Sequence, residues 1–377
     1  MNVAGLLRYP AAMTDYLGNP DYAHGTASRV GVLLVNLGTP DEPTTGAVRR
    51  YLAEFLWDPR IIEMPRLLWW LILHGIILRV RPKRSAHAYQ KIWTPGGSPL
   101  LVESRALADA VGARLAERHG DRVRVELAMT YGNPSIRDAL ERFRRDNVQR
   151  LLVLPMYPQY SATTTASIFE RVTRELGRWR WIPELRVVNQ YWEEDAYIDA
   201  LAASVARHWE THGRKHLLFS FHSIPKRYFL AGDPYHCYCH ATARRVAKRL
   251  GLAEGEWSIG FQSRFGREEW LRPYIDGLLH DYSHTGPKRV TLVCPGFATD
   301  CLETLEEIDM QNREMFLSHG GEAFDYVPCL NSSPAHVDLY ERVIARHSQG
   351  WPELVGPEDA TRLAESRRRA LAMGAKA

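Results

Sequence analysis

The sequence predicts an α/β protein in which two similar doubly wound domains, each built on a parallel sheet, face each other across a cleft. Three observations support this prediction. Short apolar, β-branched segments alternate with segments whose apolar residues recur every three or four positions, as in helices. Hydrophobic residues form 45% of the 377 residues, which is enough for a large core. The second half of the chain also repeats a pattern found in the first.

Eight segments carry the strand pattern. They are 30–36, 123–129, 151–156, 185–189, 216–221, 257–261, 290–294 and 324–328. Intervening segments such as 136–143 and 197–209 have helical spacing. Strands joined through helices are parallel and are covered on both faces. Such strands could also close a barrel, but the internal repeat favours two open sheets.

The repeat is clearest at two segments that begin at Arg150 and Arg289. RLLVLPMYPQYSATTTASIFE and RVTLVCPGFATDCLETLEEID share the order arginine, apolar strand, proline, aromatic residue, polar loop and helix. The predicted organisation is therefore an amino-terminal extension at 1–28, a first domain at 29–195, a second domain at 196–347 and a tail at 348–377. Ligands of doubly wound sheets bind beyond the carboxyl ends of the strands, so functional residues are expected there.

Charge and cysteine content indicate which class of partner and which cellular compartment to expect. Lys plus Arg number 48 against 44 for Asp plus Glu, and a net charge of +4 is too small to indicate a nucleic-acid partner. Five cysteines in so long a chain argue against a secreted disulfide scaffold and favour a reducing, cytoplasmic compartment. The first residues also lack the apolar stretch of a signal peptide.

The most hydrophobic segment is 67–80, LLWWLILHGIILRV, between Pro65 and Pro82. It is shorter than the roughly 20 apolar residues of a membrane-spanning helix. One interpretation is a buried core helix. The other is an amphipathic lip that contacts a membrane surface or a flat apolar ligand, because several basic residues follow directly.

Two strand ends carry residues suited to chemistry or ligand binding. Tyr157 and Tyr160 follow the strand segment 151–156, and two tyrosines at a cleft edge suit an aromatic ligand, whereas the hydroxyl residues after them suit a helix N-terminus. His222 follows the segment 216–221. Histidine is the side chain best suited to proton abstraction near neutral pH and is a common metal ligand, so His222 is a candidate for both roles.

Three carboxylates follow the strand segment 290–294. Asp300, Glu303 and Glu307 are spaced three and four residues apart, which places them on one face of an α-helix. One interpretation is a capping box at the start of that helix. The other is a row of carboxylates that binds a divalent cation or passes protons.

A second cluster, His236-Cys237-Tyr238-Cys239-His240, follows the helix-start sequence GDP. His236 and His240 would share a helix face, so a zinc site, and with it a zinc hydrolase, is one interpretation. The spacing matches no common pair of zinc-binding cysteines, and a partly exposed helix turn is favoured.

Taken together, the motifs resemble one known family. VLLVNLGTP, GGSPL, YGNPS, YPQYSATTT, FSFHSIP, GDPY, FQSRFG and CPGFATDCLETLEEID occur in this order between about residues 30 and 347. This series closely resembles the ferrochelatase family, whose members insert ferrous iron into protoporphyrin IX in the last step of haem synthesis. The resemblance implies a lyase with two doubly wound domains around a cleft.

The resemblance assigns roles to individual positions. His222 matches the family's essential histidine, which takes pyrrole protons or ligates the iron, and Glu303 matches a glutamate across the cleft that shares the metal. Asp300 and Glu307 match acidic neighbours that conduct protons or metal. The implied porphyrin contacts are Arg81, which faces a propionate, Tyr89, Ser98, Leu37, Tyr157 and Trp192. The segment 67–80, with Trp69 and Trp70, matches an apolar lip over the macrocycle.

The resemblance also implies substrates and location. Protoporphyrin IX and Fe²⁺ are the expected substrates, and no tightly bound cofactor is expected. Some relatives hold a [2Fe–2S] cluster on one cysteine of the YPQYS loop and three near the carboxyl terminus. Ala162 occupies the loop position and no cysteine follows Cys329, so that cluster is not expected. The expected location is the cytoplasm, with peripheral contact at the inner face of the membrane.

Other functions remain open at the level of the sequence. One is a chelatase of the same fold that acts on coproporphyrin or inserts cobalt. Another is a carrier that binds porphyrin or haem without turnover.

Overall fold

The computed structural model describes residues 16–19, 22–264, 266 and 268–375. Residues 1–15, 20 and 21 of the predicted extension, and 376–377 of the predicted tail, lie outside the described part.

Two parallel four-stranded sheets form the framework, and all eight predicted strands are confirmed. The strands are β1 (Arg29–Thr39), β2 (Val123–Gly132), β3 (Val148–Pro155), β4 (Glu184–Val187), β5 (His216–His222), β6 (Trp257–Gln262), β7 (Arg289–Val293) and β8 (Ala323–Val327). The first sheet has the order β2-β1-β3-β4 and the second the equivalent order β6-β5-β7-β8. The sequence repeat therefore corresponds to two copies of one doubly wound sheet, and the predicted fold class is confirmed.

Helices cover both sheets. They are α1 (Thr45–Trp57), α2 (Arg66–Ile72), α3 (Leu78–Ile92), α4 (Pro99–His119), α5 (Ile136–Arg145), α6 (Thr165–Leu176), α7 (Asp195–His212), α8 (Lys226–Leu230), α9 (Tyr235–Arg249), α10 (Ile275–His284), α11 (Arg313–Ser318), α12 (Pro334–His347), α13 (Pro352–Val355) and α14 (Ala360–Ala372). Two segments have the wider π-helical turn, π1 (Leu73–Ile77) and π2 (Glu303–Asn312). Such segments are rare and occur frequently at functional sites.

The largest core cluster lies between the two sheets. It joins inward-facing residues of the first sheet, such as Val32 and Leu152, to Phe219 of the second. Helix α12 follows the second sheet in sequence but contacts α4, α7 and β3, so its Val343 packs in the same cluster. Burial of apolar side chains contributed by both halves of the chain fixes the two sheets relative to each other.

The segment 67–80 is amphipathic, and its interpretation as a buried core helix is wrong. It lies in a helical run from α2 through π1 into α3, and Pro82 is accommodated inside α3 without ending it. Trp69 and Leu73 are buried, whereas Leu67 and Val80 are more than 70% exposed. Trp69 donates its indole hydrogen to the Leu56 carbonyl, so it belongs to the core and not to an exposed lip.

Within the described residues, the structure has no helix that is both long enough and apolar enough to cross a bilayer.

Candidate active site

A large cavity lies where the carboxyl ends of the two sheets face each other. Its volume, measured to its open mouth, is about 1320 Å³. Leu37 and Tyr157 line it at the ends of β1 and β3, and His222 and Phe297 line it beyond β5 and β7. These strands flank the point in each sheet where the strand order reverses, which is where doubly wound sheets bind ligands. We call this cavity the cleft.

His222 is the last residue of β5, and its ring orientation is fixed by the backbone. Nδ1 lies 2.6 Å from the Ser223 carbonyl oxygen. A carbonyl oxygen can only accept, so Nδ1 carries the hydrogen and Nε2 is the acceptor nitrogen of the neutral ring. Burial lowers the pKa of His222, and the Glu303 carboxylate opposes part of that shift. The ring is therefore neutral at pH 7 and able to accept a proton or a metal ion.

Glu303 and Glu307 line the cleft from the first half of π2. The Ser263 hydroxyl donates a hydrogen bond to the Glu307 carboxylate. Burial, reinforced by the negative charge of Glu303, raises the pKa of Glu307 to about 7. Glu307 can therefore gain and lose a proton near neutral pH.

Ser263 itself has a φ of 61°, in the left-handed region that non-glycine residues rarely adopt. Such strained residues cluster at functional sites. Here the conformation occurs directly after β6, at the residue whose hydroxyl binds Glu307.

Gln262 connects the histidine strand to the glutamate helix. Its backbone lies opposite His222 in the pairing of β5 with β6, and its carbonyl accepts from the Ser223 N–H at 2.8 Å. Its side-chain amide donates to the Glu303 carbonyl at 3.0 Å. The side-chain oxygen accepts from the Ser220 hydroxyl at 2.5 Å. One buried glutamine thus positions the backbone beside both reactive side chains.

The cleft brings together most of the predicted site. His222, Glu303, Glu307, Leu37, Arg81 and Tyr157 all line it. Arg81 is exposed on α3, and its positive charge acts to lower the pKa of both His222 and Glu307. The Tyr157 ring contributes to the apolar wall, and burial raises the pKa of its phenol well above the ordinary value.

Two predicted porphyrin contacts lie behind the cleft. Tyr89 and Ser98 line a much smaller cavity of about 10 Å³, which shares Leu37 and Glu303 with the cleft. Ser98 is buried and caps α4, with its side chain accepting from the Leu101 N–H. These two residues therefore adjoin Glu303 without lining the cleft itself.

Asp300 and Trp192 line neither cavity. The Asp300 carboxylate accepts from Tyr326, from Thr304 at 3.0 Å and from Asn331 at 2.7 Å. It neither caps the following helix nor continues the row of Glu303 and Glu307. The Trp192 ring stacks on Tyr238 with centroids 5.0 Å apart.

Sequence reasoning missed much of the cleft wall. The additional lining residues are Phe55, Leu56, Ile61, Ile62, Gln159, Ser161, Thr163, Thr164, Ser223, Ile224, Pro225, Tyr228, Tyr235, Ser263, Arg264, Trp270, Gly296 and Phe297. Ser263 and Arg264 could have been found, because they follow a predicted strand. Tyr228 and Trp270 come from connections whose course is not evident from the sequence.

The cluster at 236–240 is the first part of α9. The rings of His236 and His240 are 4.5 Å apart and pack against Phe261. Burial, with the adjacent His236, lowers the pKa of His240 to about 4. Throughout the described part of the chain, no three or more His, Cys, Asp or Glu side chains are grouped so as to hold a metal ion. The helix turn, and not a zinc site, is what the structure contains.

Comparison with known proteins identifies the family. The model of the Ferrochelatase family matches residues 29–348. The chain belongs to the ferrochelatase family. It is 56% identical to the ferrochelatase of Thioalkalivibrio sulfidiphilus over 95% of this chain and 99% of that protein. It is 54% identical to the ferrochelatase of Nitrosococcus oceani over 96% of this chain and all of that protein.

Solved structures confirm the fold. SirB from Bacillus subtilis with Fe³⁺ matches with a TM-score of 0.52 and 11% identity, covering 85% of this chain and 96% of that one. The sirohydrochlorin chelatase SirB from B. subtilis subspecies spizizenii, in complex with cobalt, matches with a TM-score of 0.51 and 11% identity, covering 88% of this chain and all of that one. At this identity the likeness concerns the fold alone. Membership of the ferrochelatase family makes this chain a metal chelatase, a lyase of haem biosynthesis that inserts iron into porphyrin.

The charges around His222 predict how its pKa responds to substitution. Glu303→Gln removes a negative charge that favours the imidazolium, so the pKa of His222 should fall further. Arg81→Met removes an opposing positive charge, so the pKa should rise. NMR titration of labelled histidines measures both shifts, and a His222→Gln spectrum assigns the signal.

His336 provides an internal control in the same spectra. Burial lowers its pKa to about 4, and no charged neighbour contributes to that shift. Its titration should be unchanged in both variants. A His222 titration that does not move when Glu303 is neutralised contradicts the electrostatic description of the cleft.

Proposed function

We propose that the cleft inserts Fe²⁺ into protoporphyrin IX, with His222 as the proton acceptor and with His222 and Glu303 as the residues that receive the iron. The observation that supports this most strongly is the neutral Nε2 of His222 in the same cleft as two carboxylates. The free porphyrin carries two inward N–H groups. Insertion replaces both hydrogens with one divalent ion, so two protons must leave for each iron bound.

The two protons leave through the side chains of the cleft. The single lone pair of His222 Nε2 either binds the iron or accepts a pyrrole proton, so these two roles are successive, and Glu303 and Glu307 carry protons away along π2. A pKa of about 7 lets Glu307 take up a proton and release it to solvent at neutral pH. Because His222 must be neutral to act, the rate should rise with pH through its lowered pKa and level off below neutrality.

The iron is a substrate, and the proposal includes no resident cofactor. An imidazole nitrogen and a carboxylate suit a borderline metal such as Fe²⁺. Asp300 is proposed to support this site from outside, because its carboxylate is already bonded to Thr304 and Asn331.

The variant His222→Ala tests the chemical role. We expect iron insertion to fall by about 100-fold or more, because the general base is lost. Porphyrin affinity, measured by fluorescence, should stay close to that of the wild type, since the apolar walls remain. His240→Ala is the matched control, a half-buried histidine of α9 outside the cleft lining. Unchanged insertion by His222→Ala contradicts the mechanism, and binding without insertion by the wild-type protein would indicate a carrier.

The charges of the cleft favour protoporphyrin over coproporphyrin. Among the described residues that line the cleft, the positively charged side chains are those of Arg81 and Arg264. The guanidinium groups of Arg81 and of Arg264, which also pairs with Asp276 at 2.7 Å, match in number the two propionates of protoporphyrin, whereas coproporphyrin carries four.

Insertion assays with both porphyrins test this preference. We expect a higher kcat/KM for protoporphyrin. Arg81→Met should raise KM for protoporphyrin and leave KM for its dimethyl ester unchanged, because the ester has no charge to pair. An equal or higher kcat/KM for coproporphyrin would reject the assignment.

We further propose a cytoplasmic protein that contacts the inner face of the membrane through the exposed side of α2, π1 and α3. Leu67, Trp70, Leu71, Ile76 and Val80 are all exposed there. Arg79, Lys83 and Arg84 are exposed beside them and would attract anionic lipid.

Vesicle sedimentation tests this contact. Replacing Trp70 and Leu71 by serine should lower binding to vesicles that contain phosphatidylglycerol. Replacing Trp181 and Ile182, which are similarly exposed elsewhere, is the control and should change nothing. Equal sedimentation of the wild type and of the variant with serine at 70 and 71 counts against the proposal.

A further inference from the structure

A buried carboxylate joins the two halves of the chain beside the cleft. Asp233 lies between α8 and α9 and is 9% exposed. Its Oδ2 accepts from the Ser161 hydroxyl at 2.9 Å and from the Ala162 N–H at 2.7 Å. Its Oδ1 accepts from the Tyr235 N–H at 3.0 Å. The carboxylate therefore ties the loop after β3 to the start of α9.

These hydrogen bonds also determine where the hydroxyl hydrogens of Ser161 and Thr163 point. An ionised carboxylate has no hydrogen to give, so Ser161 must be the donor. The Ser161 oxygen then accepts from the Thr163 N–H at 3.2 Å and from the Thr163 hydroxyl at 2.9 Å. The hydroxyl hydrogens of both residues are thereby directed along the chain Thr163, Ser161, Asp233, and Thr163 keeps only acceptor capacity for a ligand.

The loop held by Asp233 is a wall of the cleft. Ser161, Thr163 and Thr164 line the cavity, and the same loop begins with Tyr157. A second bond across this junction joins the Gln159 amide to the Thr242 hydroxyl of α9 at 3.1 Å. The wall thus belongs to the first half of the chain, where the Pro158 carbonyl accepts from the backbone of Tyr191 and Trp192, and its polar part is bonded to the second half through Asp233 and Thr242.

The reactive residues are held differently. His222 is fixed by the Ser223 carbonyl, and the backbone of Glu303 by Gln262, all within the second half of the chain. Moving the wall 157–164 should therefore change how the macrocycle is held and leave the proton and metal groups in place.

We propose that Asp233 is a positioning residue that fixes the wall 157–164 and thereby sets porphyrin affinity, without taking part in proton or metal transfer. This inference rests on the proposed function, because it assumes that porphyrin occupies the cleft.

The variant Asp233→Asn tests the inference at nearly constant volume. The amide has one accepting atom, so it cannot satisfy the donors on both sides of the carboxylate. We expect KM and the equilibrium Kd for protoporphyrin to rise about fivefold to tenfold, while kcat stays within about twofold. Ser161→Ala removes one of the three hydrogen bonds that Asp233 accepts, together with the two that Ser161 accepts from Thr163, and should also raise Kd. The double variant should not be additive, because both changes remove the same interaction.

Glu341→Gln is the matched control. Glu341 is a buried carboxylate of α12 that also joins the two halves of the chain, through Arg114 and Arg118 of α4. It lies outside the cleft lining. We expect a lower thermal midpoint for this variant with KM unchanged.

Two results overturn the inference. One is a KM for Asp233→Asn that changes no more than in Glu341→Gln, and the other is a loss of kcat at constant KM and Kd. If Asp233→Asn does not fold, the Kd of Thr242→Val decides by the same criterion, because this change removes the Gln159 bond across the same junction from outside the cleft lining. Kd is read by porphyrin fluorescence without turnover, so failure of the proposed insertion chemistry would appear separately, as a wild-type protein that binds porphyrin and inserts no iron.

Discussion

The geometry of the cleft depends on the hydrogen bonds of Gln262. A buried amide must satisfy both its donor and its acceptor groups, and this one does so between two elements that are far apart in sequence. Its backbone pairs with the strand that ends at His222, and its side chain reaches the first residue of π2. The separation of histidine and glutamate is therefore set by a strand and a buried bond, and not by a mobile loop.

Burial shifts the pKa values of the two side chains that this geometry brings together. Desolvation keeps the imidazole of His222 neutral and raises the pKa of the Glu307 carboxyl to about 7. One effect thus produces a base and a nearby proton carrier from residues whose ordinary pKa values differ by about two units. Arg81 and Glu303 then act on His222 with opposite sign, so the cleft can hold both charges without forcing the histidine into its charged form.

The sequence predicts the sheets and the histidine well, because both depend on local patterns. Apolar strand segments are separated by helical ones, and His222 stands at a strand end where parallel sheets place ligands. The spacing of Asp300 to Glu303 puts both on one helix face only if the α-helix already includes residue 300. The chain at 300–301 is not helical, and π2 begins only at Glu303. The motifs FQSRFG and GDPY contain Gln262 and Asp233, but the sequence does not indicate their bonding partners, because contacts between distant segments produce no periodic pattern.

Helix α12 constrains the order in which the two halves of the chain can fold. It is made after the second sheet, yet it packs on α4 and β3 of the first. During synthesis, α4 can cover β1 and β2 early, but α12 can pack on α4 and β3 only after residue 347 has left the ribosome. The two halves resemble each other in topology, but the first cannot finish folding before the second has been translated. The repeat in the sequence thus records two similar copies that no longer form independent folding units.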